Sequence, residues 1–360
     1  MTRFHRYLRR CLHRCLRRYL HRYQGAVLGL AICGCDVTEL ATSRTAQAGE
    51  TMQGETMQGE TMQGESLQGM AMRGMRRAGA TLAGAPLTGV RVEGGELVAE
   101  RGTTTLRGAA LVGVQLQAEV AAPGAAASAI TVARYRITAI APEDAGYDPT
   151  GTGNTFLYSL EQWVADRDAW QAACPADADG RRVAIPLDAI WNDHGDRVES
   201  ATLFTFGCTF GVIAKCYRWG YRPWVTGYGD LAAMHTTCTR LARADYCGTG
   251  TPHTRDGTLI NVWDELAAPG PIQHHGVLPP LGMVFEAGWN PSGAVCLSRA
   301  RWLQDDAAVL ATLCPDRLVP PGLGETVCNV VSDVLDYDAT ARMFNESYLN
   351  VSLDRPGTSP

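Results

Sequence analysis

Four side chains able to move protons or attack carbon fall within twelve residues: Asp245, Cys247, His253 and Asp256, with glycines at 248, 250 and 257 to bend the chain. Two carboxylates and an imidazole suffice for a secreted hydrolase in which Asp245, His253 and Asp256 act as acid and base. They could also start a metal site that His274 and His275 complete. Against both, Asp and His in glycine-rich loops commonly bond to backbone groups in turns. A cysteine locked in a disulfide is also no nucleophile. With no HExxH or HxxxH spacing in the chain, neither a metal nor a cofactor is expected. The loop is therefore read as structural, with catalysis as the alternative. Asp245 is expected to be buried at a helix C-terminal turn, accepting from backbone N–H groups or from Arg240, Arg243 or Arg255.

Two further features carry chemistry. Lys215 is the only lysine among 32 basic residues, and could be an amine nucleophile or a buried ion-pair partner. Between Ala214 and Cys216 it reads more simply as pointing outward from a strand. The run Tyr217, Trp219, Tyr221, Trp224 and Tyr228 could stack sugars or fill a core, and the interspersed Gly220, Pro223 and Gly227 split the rings between the two.

The elements that position these groups are held by cysteine. Setting aside Cys11, Cys15, Cys33 and Cys35, eight remain: Cys174, Cys208, Cys216, Cys238, Cys247, Cys296, Cys314 and Cys328. Eight is even and none forms a CxxC pair, so the set reads as disulfides of an exported domain. Asp230 caps a helix whose Leu231, Met234, Cys238, Leu241 and Ala242 share one face. If that helix runs to Asp245, Cys238 and Cys247 stand about 13 Å apart. A disulfide needs Cα atoms within about 7 Å, so Cys238 is expected to reach Cys208 or Cys216 instead.

Residues 1–23 hold eight Arg, three His and no acid, and the apolar stretch 26–33 follows. This is the plan of a secretory signal, assigned to residues 1–35. Ile32-Cys33-Gly34-Cys35 resembles a bacterial lipobox, which makes Cys35 the lipidated residue and a lipid the membrane anchor. From residue 35 onward 24 bases face 37 acids, a net of −13, so nucleic acid is not an expected partner. No run of eighteen apolar residues exists, which rules out a multi-span membrane protein.

Residues 36–120 form a glycine-spaced segment, with a glycine at every fifth position from Gly49 to Gly94. Three residues after each glycine stands an apolar column that includes Met52, Met57, Met62, Leu67, Met72, Leu82, Leu87, Val92 and Leu97, broken by Arg77. The stretch resembles pentapeptide repeats, which implies a four-sided β-helix with Ala80, Ala85 and Val90 as its small column. Glu50, Glu55, Glu60 and Glu65 do not suit such burial. We read residues 36–70 as a spacer that grades into β-structure by residue 80.

All eight Trp lie between 163 and 302, so the core is expected in a body at 125–335, followed by a tail at 336–360. Residues 132–140, 183–187, 203–206, 259–263 and 283–286 read as strands, and 305–313 as a short helix. The fold class is α+β: a β-rich, disulfide-stapled domain with one or two helices.

The ordered motifs suggest relatives. They are Phe204-Thr205-Phe206-Gly207-Cys208, Ile213 to Cys216, Trp219-Gly220-Tyr221-Arg222-Pro223-Trp224, Cys238-Thr239-Arg240, Ala244-Asp245-Tyr246-Cys247, His253 to Thr258, and Glu286-Ala287-Gly288-Trp289 with Cys296-Leu297. In this order they resemble the ADYC-domain proteins of myxobacteria and relatives, over roughly residues 130–320. The resemblance implies an exported, envelope-associated protein and carries no catalytic assignment. The expected function is a non-catalytic binding or surface module for an envelope, glycan or protein ligand. The alternatives are the hydrolase of residues 245–256 and a purely structural disulfide module on a spacer.

Overall fold

A computed structural model describes residues 71–121, 130–152, 154–177, 179–192, 194–254, 258–267, 269–275, 282–302, 310, 312–315 and 328–349. Along the chain, β1 (Ala71–Arg76) leads to a small hairpin, β2 (Thr81–Leu82) and β3 (Ala85–Pro86). A three-stranded antiparallel sheet follows, of β4 (Thr88–Glu93), β5 (Glu96–Arg101) and β6 (Thr104–Leu106). Next come β7 (Val114–Ala121), β8 (Ile130–Pro142), β9 (Phe156–Val164), β10 (Ala169–Ala172) and β11 (Val183–Leu187). The ladder of β12 (Ile190–Trp191) and β13 (Arg197–Val198) precedes β14 (Leu203–Cys208). Two helices, α1 (Val212–Arg218) and α2 (Leu231–Arg243), then lead to β15 (Ile260–Asp264), β16 (Val284–Asn290) and β17 (Gly293–Leu297). Helix α3 (Val331–Tyr337) and strand β18 (Met343–Ser347) complete the elements.

Six strands close into an antiparallel barrel in the order β1-β14-β11-β9-β8-β7, and the Met75–Ala118 pairing of β1 with β7 seals it. Alternation decides what fills it. Met75, Leu116, Ala118, Tyr135, Ile137, Tyr158, Leu160, Phe204 and Phe206 are all buried in one cluster. The β4–β6 sheet adds Val92, Leu97 and Ala99 to that cluster, and the Leu97 N–H donates to the Tyr158 hydroxyl at 2.8 Å. On the opposite side of β11, Ile185 and Leu187 belong to a second core with α1 and α2. A four-stranded antiparallel sheet, β15-β18-β16-β17, packs Ile260, Val262, Ala287, Trp289 and Met343 into that same core. Its Trp263, Phe285 and Phe344 join Val334 of α3 in a third cluster. The two central helices thus lie between barrel and sheet.

The eight late cysteines stand in four pairs with Cα separations of 5.5 to 6.0 Å. Cys174–Cys208 ties the barrel, Cys216–Cys238 joins α1 to α2, Cys247–Cys314 closes the loop after α2, and Cys296–Cys328 links β17 to the approach of α3. The helix does not reach Asp245. It stops at Arg243 because Ala244 adopts the left-handed conformation, φ +52°. Cys238 joins Cys216, the second of the two expected partners. Replacing Cys216 and Cys238 together by serine should cost about 3 kcal/mol, the loop-closure contribution of a crosslink spanning 22 residues. Urea unfolding of the double variant reads this directly, and a loss below about 1 kcal/mol would contradict it.

Several expectations change. Three α-helices are present among the described residues, not one or two. The packed unit extends past the expected 125–335 body on both sides. Strand β1, from the repeat, completes the barrel, and β18, from the expected tail, is central in the second sheet. Residues 71–106 pair as antiparallel strands and not as the coils of a β-helix. The five-residue glycine period there serves bends and turns at Gly79, Gly84 and Gly94 and an irregularity in β4 at Gly89. Gly79, Gly84, Gly89 and Gly94 have φ of +80°, +80°, +58° and +63°, a region that a Cβ disfavours. The apolar column survives, since Met72, Leu87, Val92 and Leu97 are buried, whereas Ala85 is exposed. Lys215 does not point out from a strand: it lies in α1 and is buried. Residues 1–70, with Cys35, and most of 305–313 lie outside the described residues.

Candidate functional site

The 244–247 motif forms at the C-terminal end of α2. Asp230 starts that helix by accepting from the Ala233 N–H at 3.0 Å. At its far end the Asp245 N–H donates to the Arg240 carbonyl at 2.9 Å, as the left-handed Ala244 turns the chain. The Asp245 side chain is fully buried. It faces the negative end of the helix dipole, so it needs donors to stay charged. Arg240 supplies one, the Thr249 and Gly250 N–H groups supply two more at 3.1 and 2.9 Å, and Arg243 stands 3.8 Å away. Arg240 also reaches Asp196 and the His194 carbonyl, and Arg243 donates to the Gly250 carbonyl. Burial pushes the Arg243 guanidinium down to about 10, with Asp245 pulling the other way.

The next two residues are committed as fully. The Tyr246 ring stacks on Trp289 with centroids 5.3 Å apart, and its hydroxyl donates to Glu286 at 3.0 Å while accepting from the Arg301 N–H at 3.1 Å. Burial raises the Tyr246 hydroxyl well above the ordinary phenol range, so it stays a donor. Arg301, 1% exposed, pairs with Glu286 at 2.8 Å and donates to the Leu241 and Ala242 carbonyls at 2.8 and 3.2 Å. Those carbonyls end α2, so one arginine both caps the helix and neutralises the sheet's carboxylate. Although burial opposes it, Glu286 holds the Arg301 guanidinium above its usual value. Cys247 is bonded to Cys314. Gly293 lets β17 approach: a Cβ there would meet the Tyr246 carbonyl at 2.6 Å.

Of the sequence candidates, Asp245 and His253 are among the described residues, and both make internal contacts. Both Asp245 oxygens are taken by internal donors. His253 is half-buried, gives its N–H to the Arg243 carbonyl, and places its ring 5.7 Å from that of Tyr246. Asp256 lies outside the described residues. His275 lies 3.3 Å from Glu346 and against Trp263, far along the chain from this knot, beside an exposed His274. Among the described residues no three His, Cys, Asp or Glu side chains form a group suited to a metal. In the aromatic run Tyr217, Trp219 and Tyr221 are buried, and Trp224 stacks on Tyr217 at 5.2 Å, so these rings belong chiefly to the core. Sequence reasoning missed Arg301, which no local pattern distinguishes from Arg299. It also missed Arg222, fully buried and paired with Asp148 at 2.6 Å, although Arg222 stood in a quoted motif.

The model of the ADYC domain matches residues 108–303, more than half of the 360. The chain belongs to the ADYC-domain family. In this member the four residues that spell the domain's name are an αL turn, a buried carboxylate that holds the following loop, a phenol stacked on the second sheet and a disulfide to Cys314. Searches of curated proteins and of solved structures find no significant match.

Proposed function

We propose that this ADYC-domain protein is an exported, non-catalytic binding module of the bacterial envelope, anchored through a lipid on Cys35. The observation that carries the reading is the fate of Asp245: it is fully buried, and both of its oxygens accept from internal donors, so it is not presented to a substrate. Four disulfides suit an extracellular or periplasmic address, where an oxidising environment preserves them. The signal-like residues 1–35 agree with it.

Thermal unfolding of Asp245→Asn, His253→Ala and Asp256→Ala beside the parent protein tests this. Asp245→Asn should lose roughly 1–3 kcal/mol, since it weakens a buried charged hydrogen bond while Arg240 keeps Asp196. His253→Ala should lower the melting temperature too, by removing a ring packed on Tyr246. Unchanged melting in all three variants, together with loss of a hydrolytic activity, would reject the reading in favour of the hydrolase. For the address, the mature amino terminus read by mass spectrometry is expected at Cys35 in the membrane fraction. A cytosolic chain beginning at Met1 would refute export.

A further inference from the structure

The outer wall of the barrel across β7 to β10 carries side chains that the core does not use. Trp163 and Trp170 are directly paired between β9 and β10, half-buried, with rings edge to face at 5.4 Å. The Arg134 guanidinium lies 5.0 Å from the Trp163 ring, and that of Arg136 lies 4.6 Å from Trp170. On the β7 side, Gln117 pairs with Arg134 and Gln115 with Arg136. Neighbours of opposite parity, Tyr135 and Ile137, already fill the barrel. The two tryptophans are thus held at the surface, where large rings cost apolar exposure and mark contact sites.

The arginines differ in one respect. Arg136 is tied to Glu161 at 2.6 Å, whereas exposed Arg134 has no carboxylate partner among the described residues. From Gln117 to Trp170 the row crosses three strand spacings, about 15 Å, which is the reach of a short oligosaccharide and not of one sugar. Flat rings stack on the apolar faces of pyranoses, amides bond to hydroxyls, and a guanidinium fork grips a carboxylate. Charge narrows the ligand further. Residues 35–360 carry a net of −13, which repels a dense polyanion, while a single Arg134, over the Trp163 ring and with no carboxylate partner among the described residues, matches sparse carboxylates.

We propose that this wall binds a glycan strand with a carboxylate on some but not all of its sugars. Trp163 and Trp170 stack its rings and Arg134 takes its carboxylate. The proposal rests on the binding-module reading above and names that module's ligand class and surface.

Calorimetric titration of the full chain with three tetrasaccharides tests it. They are hyaluronan tetrasaccharide with carboxylates on alternate sugars, chitotetraose with none, and tetragalacturonate with one on every sugar. The hyaluronan probe should bind tightest. Arg134→Gln should weaken it roughly tenfold, to the level of chitotetraose, and leave chitotetraose binding unchanged. Trp163→Ala and Trp170→Ala should each weaken both probes by about tenfold, and Trp163→Phe, which keeps a ring, should retain most of the affinity. Absence of hyaluronan binding, binding indifferent to Arg134→Gln and Trp163→Ala, or tighter capture of tetragalacturonate would overturn the proposal. Cleavage of a bound sugar to shorter products is a separate result. It would overturn the non-catalytic reading, and the tryptophan variants would still decide the wall.

Discussion

Arg301→Met should lower the unfolding free energy by about 3–5 kcal/mol, because it strands a buried carboxylate. Arg301 is 1% and Glu286 0% exposed, and the guanidinium gives Glu286 contacts at 2.8 and 3.1 Å. Methionine keeps an unbranched stem of similar length, so the loss reports on charge and hydrogen bonds more than on volume. Two further groups lose their donor with Glu286: the Leu241 and Ala242 carbonyls at the end of α2. In a chain of this size the shift should approach 10 °C, taking about 2–4 °C per kcal/mol. Glu286→Gln in the Arg301→Met background should recover part of the stability, since no buried charge then stands alone. Chemical denaturation of the two single variants and the double variant closes the cycle. Strictly additive single losses would mean that the two side chains do not act as a pair.

The protein should also lose stability as pH falls below about 6.5 through one buried imidazole. His235 is fully buried on α2, with Nε2–H donating to the Ile213 carbonyl at 2.9 Å. Its Nδ1 has no hydrogen-bond partner among the described residues, and its ring sits 4.3 Å from Tyr217 and 5.7 Å from Trp191. Burial pushes this histidine down to about 3, and the nearby Arg197 adds to the effect. An unfolded chain takes up this proton below about 6.5 while the folded one refuses it until about 3. Its contribution is therefore complete above pH 6.5 and declines by up to about 1.4 kcal/mol per pH unit as pH falls towards 3. Carboxylates titrate over the same range, so the comparison is between the parent and His235→Gln. At pH 7.5 the parent should be the more stable. By pH 4.5 the difference should shrink by roughly 3 kcal/mol, two pH units of the slope. Parallel pH profiles would show that His235 does not titrate in this way.

How much of this was readable from residues alone follows from the range of each interaction. Strand alternation at 132–140 and the face of α2 depend on residues a few positions apart, and both appear in the structure. The buried state of Asp245 followed from its place at a helix end, because the donors Arg240, Thr249 and Gly250 lie within five residues. Lys215 was misplaced because a short apolar stretch between two cysteines fits strand and helix alike. The tryptophan wall was not seen, since Trp163 and Trp170 meet Arg134 and Arg136 only after β8, β9 and β10 pair.

The sequence by itself determined the β-rich class, the even set of cysteines, the start of α2 at Asp230 and membership in the ADYC family by the order of its motifs. The first three rest on local periodicity, composition and spacing, and the family on the resemblance of its ordered motifs to known relatives. Tertiary structure alone decided which cysteines pair, that β1 closes the barrel, and that Arg301 meets Tyr246 from 55 residues away. It also set the donors of the motif's carboxylate, Arg240 from the helix and the Thr249 and Gly250 N–H groups from the loop that follows. The physical reason is that a buried charge takes whichever donors the packing brings to it, and packing joins residues with no pattern in common.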